Sequence, residues 1–139
     1  GNAGSANGMG SGARFSDPHG IAVDGSGSVY VTDDCNDRLR KVTPTGVVTT
    51  LAQGGRCAGG YDIPLARSSG GVAVDGSGNV YVARSVDNTV WKVTPSGIAT
   101  TLAGLEGYPE SADGTGSGAR FYGPSGVAVD GSGNVYVAD

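Results

Sequence analysis

Cys35, Cys57, His19 and an Asp-Gly-Ser-Gly tetrad that occurs three times are the residues of this chain whose types could carry chemistry. Two cysteines can pair, stay as buried thiols or bind a metal. A metal site is disfavoured, because there is no Cys-x-x-Cys and only one histidine. His19 could act as a general base in principle, but no Ser or Cys is identifiable as its partner. A turn residue bonded to backbone is the simpler reading, and no catalytic residue is assigned. The tetrads begin at Asp24, Asp75 and Asp130. An EF-hand loop would need further acidic ligands and a bidentate Glu, which are missing, so hairpin chemistry explains the tetrad better than calcium does. The sequence calls for no cofactor and no metal.

The elements that must position these residues follow from composition and repetition. Glycine contributes 27 of the 139 residues and hydrophobic residues 37%. That is too apolar for plain disorder and too glycine-rich for a helical bundle, so short strands and tight turns fit best. The net charge is −4, and the nine basic residues form no cluster. Nucleic-acid binding, which needs a basic face, is therefore not expected. No stretch approaches the roughly 20 apolar residues of a membrane-spanning helix, and no signal peptide is visible at the start.

The segment GIAVDGSGSVYVTD (Gly20–Asp33) returns as GVAVDGSGNVYVAR (Gly71–Arg84) and GVAVDGSGNVYVAD (Gly126–Asp139), at intervals of 51 and 55 positions. LRKVTPTGVVTTLA (Leu39–Ala52) matches VWKVTPSGIATTLA (Val90–Ala103), and GSGARF occurs at Gly10–Phe15 and Gly116–Phe121. Periods near 50 residues point to propellers or solenoids. Each full repeat predicts four strands: A at Ile21–Val23, B at Val29–Val31, C at Leu39–Val42 and D at Val47–Leu51, with matching copies. The tetrad supplies positive-φ residues for the A–B hairpin, and Thr-Pro-Thr-Gly or Thr-Pro-Ser-Gly turns C into D. Four antiparallel strands per repeat make a propeller blade.

The expected fold is all-β: two full blades plus the first half of a third, an incomplete ring. A connector spans 1–19, blade 1 spans 20–52, a connector 53–70, blade 2 71–103 and a connector 104–125. Strands A and B of blade 3 span 126–139. Strand A is expected innermost, where the small Ala22 suits crowding, and Tyr30, Tyr81 and Tyr136 are expected to pack with satisfied hydroxyls. Two and a half blades cannot close a ring. The chain is expected to be a segment of a longer repeat protein, or else to associate through its open blade edges.

The blocks GVAVDGSGNVYVAD, NTVWKVTPSGIATTLAG and GSGARFYGPSG, in that order, resemble the bacterial NHL repeat over roughly residues 6–139. The resemblance implies a propeller used for contacts with protein, carbohydrate or nucleic acid. Some relatives of that kind are lyases or lactone hydrolases, and this chain lacks an evident catalytic set.

Function should sit where one copy departs from the others. Val86 stands where Cys35 would be, so the cysteines belong to the first repeat alone. In an up-and-down blade the B–C loop with Cys35 and the D–A connector with Cys57 emerge on one face. A Cys35–Cys57 disulfide is expected, worth about 3 kcal/mol in the chain-entropy model, with two buried thiols as the alternative. A disulfide implies an oxidising compartment. Arg84 replaces Asp33, either as a salt-bridge partner between blades or as a ligand contact on the loop face. Trp91 replaces Arg40, either packed against a neighbouring blade or exposed. Arg14 and Arg120 are expected to clamp their connectors, with Phe15 and Phe121 tucked between blades. The long connectors are the usual places for recognition, which makes Tyr61, Arg67 and Tyr108, together with Arg84, the candidate binding residues. Plain spacers are the alternative.

The expected function is a non-catalytic extracellular propeller scaffold, secreted or at the cell surface, with the periplasm as the alternative location. It would bind a protein, a glycan or copies of itself. A structural subunit of an ordered assembly is the alternative, and a propeller-type lyase or lactone hydrolase a third reading.

Overall fold

The computed structural model describes residues 2–53 and 69–139. Eleven strands form among them: β1 (Gly8–Met9), β2 (Pro18–Val23), β3 (Val29–Asp33), β4 (Arg38–Val42), β5 (Val47–Gln53), β6 (Ser69–Val74), β7 (Val80–Arg84), β8 (Thr89–Val93), β9 (Ala99–Gly104), β10 (Gly126–Val129) and β11 (Val135–Ala138). Every pairing is antiparallel. The strands group as sheets β1-β5-β4-β3-β2, β6-β7-β8-β9 and β10-β11. The chain is thus all-β, two full blades followed by a third hairpin. Most strands run further than the hydrophobic pattern alone predicts, because backbone pairing continues to Asp33 and Arg84 past the last apolar residue.

Each A–B turn is built the same way. Asp24 Oδ1 accepts from the Ser26 and Ser28 amides, both at 2.9 Å, and from Ser26 Oγ at 2.6 Å, while Oδ2 accepts from the Tyr30 hydroxyl at 3.0 Å. The arrangement recurs at Asp75 and Asp130, with the side chains of Asn79 and Asn134 donating as well. The tetrad is therefore an Asx-type turn that also anchors the tyrosine six residues on. Only its second glycine is left-handed, with φ of 82° at Gly27, 81° at Gly78 and 86° at Gly133.

The main core lies between blades. Tyr30, Leu39 and Ala52 of blade 1 pack with Val72, Val80, Val82 and Val93 of blade 2. Strand periodicity explains this division, since alternate residues of each sheet face opposite neighbours. β6 lies beside both β2 and β10, so the A strands are adjacent, as expected of the innermost strands. The closest approach falls on the glycines that begin them. A Cβ added at Gly71 would lie 2.5 Å from the Val127 amide nitrogen, closer than real contacts allow, so this junction requires glycine. The terminal blades leave open what blade 2 buries. Ile21 is 66% exposed where its counterpart Val72 is 9%, and Tyr136 is 59% exposed where Tyr81 is 4%.

One element departs from expectation. The N-terminal connector does more than lead into blade 1, because Gly8 and Met9 pair with Val48 and Val47 and add a fifth strand at the blade's outer edge.

Candidate functional site

The face carrying the B–C loops and the connectors holds most of the residues that differ between copies. On blade 1 its centre is a buried ion pair. Arg40 NH1 donates to Asp33 Oδ2 at 2.8 Å, and both side chains are fully buried. Asn36 Nδ2 donates to the same carboxylate oxygen at 2.7 Å, and the Ser16 amide to Oδ1 at 2.6 Å. The Arg40 guanidinium also reaches the carbonyls of Arg14 and Ala6, each at 3.0 Å, and Asn7 Oδ1 at 2.9 Å. It stacks 5.0 Å from the Phe15 ring centroid. Arg38 donates to the Ser5 carbonyl at 2.6 Å and Asn36 to the Gly4 carbonyl at 2.7 Å. Blade 1 therefore holds residues 4–15 largely through their backbone carbonyls, with charge-assisted donors.

Blade 2 fills the corresponding place with different chemistry. Arg84, Asp87 and Trp91 stand where blade 1 has Asp33, Asn36 and Arg40. The Arg84 guanidinium lies 4.4 Å from the Trp91 ring centroid and pairs with the Asp87 carboxylate. Burial pulls the Arg84 pKa below the usual arginine value, opposed by the charge of Asp87. Burial likewise raises the Asp87 carboxyl, opposed by Arg84. Arg84 is 1% exposed. The described ion pair of Arg84, with Asp87, lies within blade 2, and the charge of Asp37 in blade 1 acts on the guanidinium as well. Trp91 offers a ring face where a second arginine would repel. Trp91 itself packs against the inter-blade core, as one of its two expected arrangements had it.

The connectors are pinned internally. Arg14 NH1 donates to the carbonyls of Ser11 and Ala13, the latter at 2.8 Å. Arg120 NH1 does the same with Ser117 and Ala119, at 2.5 and 2.8 Å. Backbone bonds close each connector on itself: Gly4 N to Phe15 O and Arg14 N to Ala6 O in the first, and Glu110 N to Phe121 O, Ala112 N to Arg120 O and Arg120 N to Ala112 O in the second. Tyr108 and Tyr122, which flank the bonded span of the second connector, are 60% and 71% exposed. Tyr122 escaped the sequence reading because it follows Phe121 inside a block that reads as scaffold. His19 is exposed at the start of β2. Cys35 is exposed in the B–C loop, its amide bonded to the Ser16 carbonyl at 3.0 Å. Cys57, Tyr61 and Arg67 lie outside the described residues, so the expected disulfide and those two binding candidates have no structural account.

The opposite face carries a groove of about 460 Å³ between the A–B turns of blades 1 and 2, lined by Asp24, Ser26, Asp75, Ser77, Lys41 and Pro95. Both carboxylates there are committed to their own turns. Hydrogen bonding, first from Ser26, holds Asp24 well below the usual carboxylate range. Asp130 is lowered to about 2 by the donors of Asn134 foremost. At Asp75 burial pulls upward, but Asn79, Tyr81 and Ser77 together lower it. Among the described residues no three His, Cys, Asp or Glu side chains are placed to hold a metal ion, and no helix is long and apolar enough to cross a membrane.

The NHL repeat model matches residues 15–42 and 121–139. These segments contain the copies that carry Asp33 and Asp139; the middle copy, with Arg84, falls outside. The comparison with curated proteins gives no match. Among solved structures, a Bacteroides thetaiotaomicron protein of unknown function is similar at 23% identity and a TM-score of 0.64, over 81% of this chain and 30% of that one. A gluconolactonase from Xanthomonas campestris is similar at 16% identity and 0.62, over 90% and 35%. The virginiamycin B lyase of Staphylococcus aureus is similar at 17% identity and 0.55, over 89% and 41%. At these identities the likeness concerns the fold, and the chain spans between 30% and 41% of those structures' length. The copied hairpins, the core shared between blades and the matched segments agree: the chain folds as consecutive propeller blades, and two of its segments match the NHL repeat.

Proposed function

We propose that the chain is part of a non-catalytic, extracytoplasmic propeller scaffold that binds a protein or glycan on the face carrying its connectors. The observation behind this reading is the connector 104–125, closed on itself by backbone bonds, in which Tyr108 and Tyr122 are largely exposed. Exposed tyrosines supply a flat apolar face and a polar tip at small entropic cost, which suits both ligand classes. The buried polar residues that differ between blades are engaged with one another, so the blades use their charge internally. The location rests on the expected pairing of Cys35 with Cys57.

Screening the 139-residue chain on an array of glycans, alongside the Tyr108→Ala and Tyr122→Ala variants, tests the proposal. Binding weakened at least tenfold by either substitution supports it. Binding unaffected by both contradicts this placement of the site. The gluconolactonase and lyase likenesses favour a second reading, a propeller-type lactone hydrolase or lyase, for which the exposed His19 is the available base. Turnover of a simple lactone that disappears in His19→Ala would establish that reading in place of the first.

A further inference from the structure

The groove between the A–B turns of blades 1 and 2 is bounded on both sides by complete four-stranded blades. Its volume of about 460 Å³ falls in the range of small-molecule sites. Two of the glycines that line it are not required by the fold. Gly25 and Gly76 are not left-handed, and a Cβ added at either would meet no atom within 4 Å. Gly78 differs, being left-handed and having Pro95 Cγ 3.4 Å from the place of its Cβ. A glycine that neither conformation nor packing demands leaves the turn backbone open to close approach from outside.

Blade 1 departs from the other copies at this groove. Ser28 stands where they have Asn79 and Asn134. Those longer side chains donate to Asp75 Oδ2 at 2.8 Å and to Asp130 Oδ2 at 2.9 Å, beside the tyrosine hydroxyls. Ser28 does not reach as far, and its Oγ lies 3.2 Å from Ser26 Oγ. Asp24 Oδ2 therefore accepts from the Tyr30 hydroxyl alone, which leaves acceptor capacity on that oxygen. Lys41 lines the same groove, and the ion pairs of the described residues do not include its ammonium.

We propose that this groove binds one neutral sugar ring through a pair of adjacent hydroxyls. A hydroxyl both donates and accepts. One donates to Asp24 Oδ2, and its neighbour accepts from Lys41 Nζ, with the Ser77 hydroxyl as a further partner. The bare backbone at Gly25 and Gly76 lets the ring settle against both turns. Charge disfavours the other small ligands. Asp24 and Asp75 outnumber Lys41 and repel an acidic sugar. A metal cation needs several free oxygens, whereas Asp24 Oδ1 already accepts from three donors and Lys41 stands close by. Ser28 is the residue that creates the site, because an asparagine there would take the open acceptor as it does in the other copies.

The test follows amide signals of the 139-residue chain in nitrogen–proton correlation spectra. The probes are the methyl glycosides of glucose, galactose and mannose, with sodium glucuronate and calcium chloride as charged comparisons. At least one glycoside is expected to shift Gly25, Ser26, Gly76 and Ser77 saturably. Ser28→Asn, which installs the side chain that the other two copies carry, is expected to weaken that binding by about tenfold or more, the scale of one hydrogen bond to a charged group. Gly76→Leu, which fills open space, is expected to do the same, and Tyr122→Ala on the opposite face to leave it unchanged. No shift at these amides with any glycoside, shifts there with glucuronate or calcium alone, or binding unaltered by Ser28→Asn would overturn the proposal. Shifts confined to the amides around Tyr108 and Tyr122 would support the connector-face reading and overturn this one.

Discussion

The Arg84 guanidinium lies 4.4 Å from the Trp91 ring centroid, where blade 1 has Asp33 paired with Arg40 at 2.8 Å. The two arrangements occupy one place in consecutive blades and exclude each other. Asp33 needs a cation and Arg84 needs a ring face or a carboxylate. Asn36 and Asp87 follow the same rule, the neutral amide donating to Asp33 and the carboxylate pairing with Arg84. Three differences between the copies are therefore one coupled change.

This coupling predicts non-additive stability. Arg84→Asp alone places a buried carboxylate beside Asp87 and Trp91, and should cost about 3 kcal/mol, the scale of a broken buried pair. Adding Asp87→Asn and Trp91→Arg rebuilds the blade 1 set and should recover most of that loss. Urea unfolding of the single and triple variants measures it. A triple variant no more stable than the single one would show that the sets are not interchangeable units.

The Asp-anchored turns predict an acid limb. Asp24, Asp75 and Asp130 are all lowered in the fold. A lowered carboxylate stabilises the fold above its unfolded value, near 3.8, and that contribution is lost as pH falls through the folded value. Stability should thus decline from about pH 4 downward, to about 2 for Asp130. Carbon-detected NMR titration of the Asp carboxyls checks this, and Tyr81→Phe should raise the Asp75 midpoint by removing one donor. An Asp75 midpoint unmoved by that substitution would contradict the role given to the Tyr81 hydroxyl.

The open faces predict association. Ile21 and Val23 are 66% and 59% exposed at one end, and Tyr136 is 59% exposed at the other. The 139-residue chain should self-associate with increasing concentration in sedimentation velocity. The Ile21→Lys, Val23→Lys double variant should shift it toward monomer. A sharp monomer at all concentrations, with two-state unfolding, would argue against apolar association through these faces.

The cysteines predict a redox state. If Cys35 pairs with Cys57, the native and denatured chain isolated without reductant should both show no reactive thiol. Two reactive thiols on denaturation would remove the physical support for an oxidising compartment.

Much of the architecture was legible because its signals are local. The Asp-Gly-Ser-Gly turns, the Thr-Pro turns and the alternation in Val29–Val31 each act within a few residues. The linkage of Arg84 to Trp91 was not legible. Both substitutions are plain in the sequence, but their contact is a diagonal one across β7 and β8, where Arg84 opposes Thr89 and Trp91 opposes Val82. Only the register brings them together. The holding of residues 4–15 by Arg40 was hidden for a related reason, since backbone carbonyls are the acceptors and carry no residue signature. Tyr108 stood out by its type in a long connector, whereas the exposure of Tyr122 depends on the local path of the chain after Phe121.

The claim on which the rest depends is that each repeat folds as its own four-stranded wedge, and Trp91 reports on it directly as the sole tryptophan. In nuclear Overhauser spectra its backbone and ring protons should contact Val82 on one side and Thr101 on the other, the partners of its own blade. Trp91 paired instead across strands β3 to β5 of the first repeat would contradict the account.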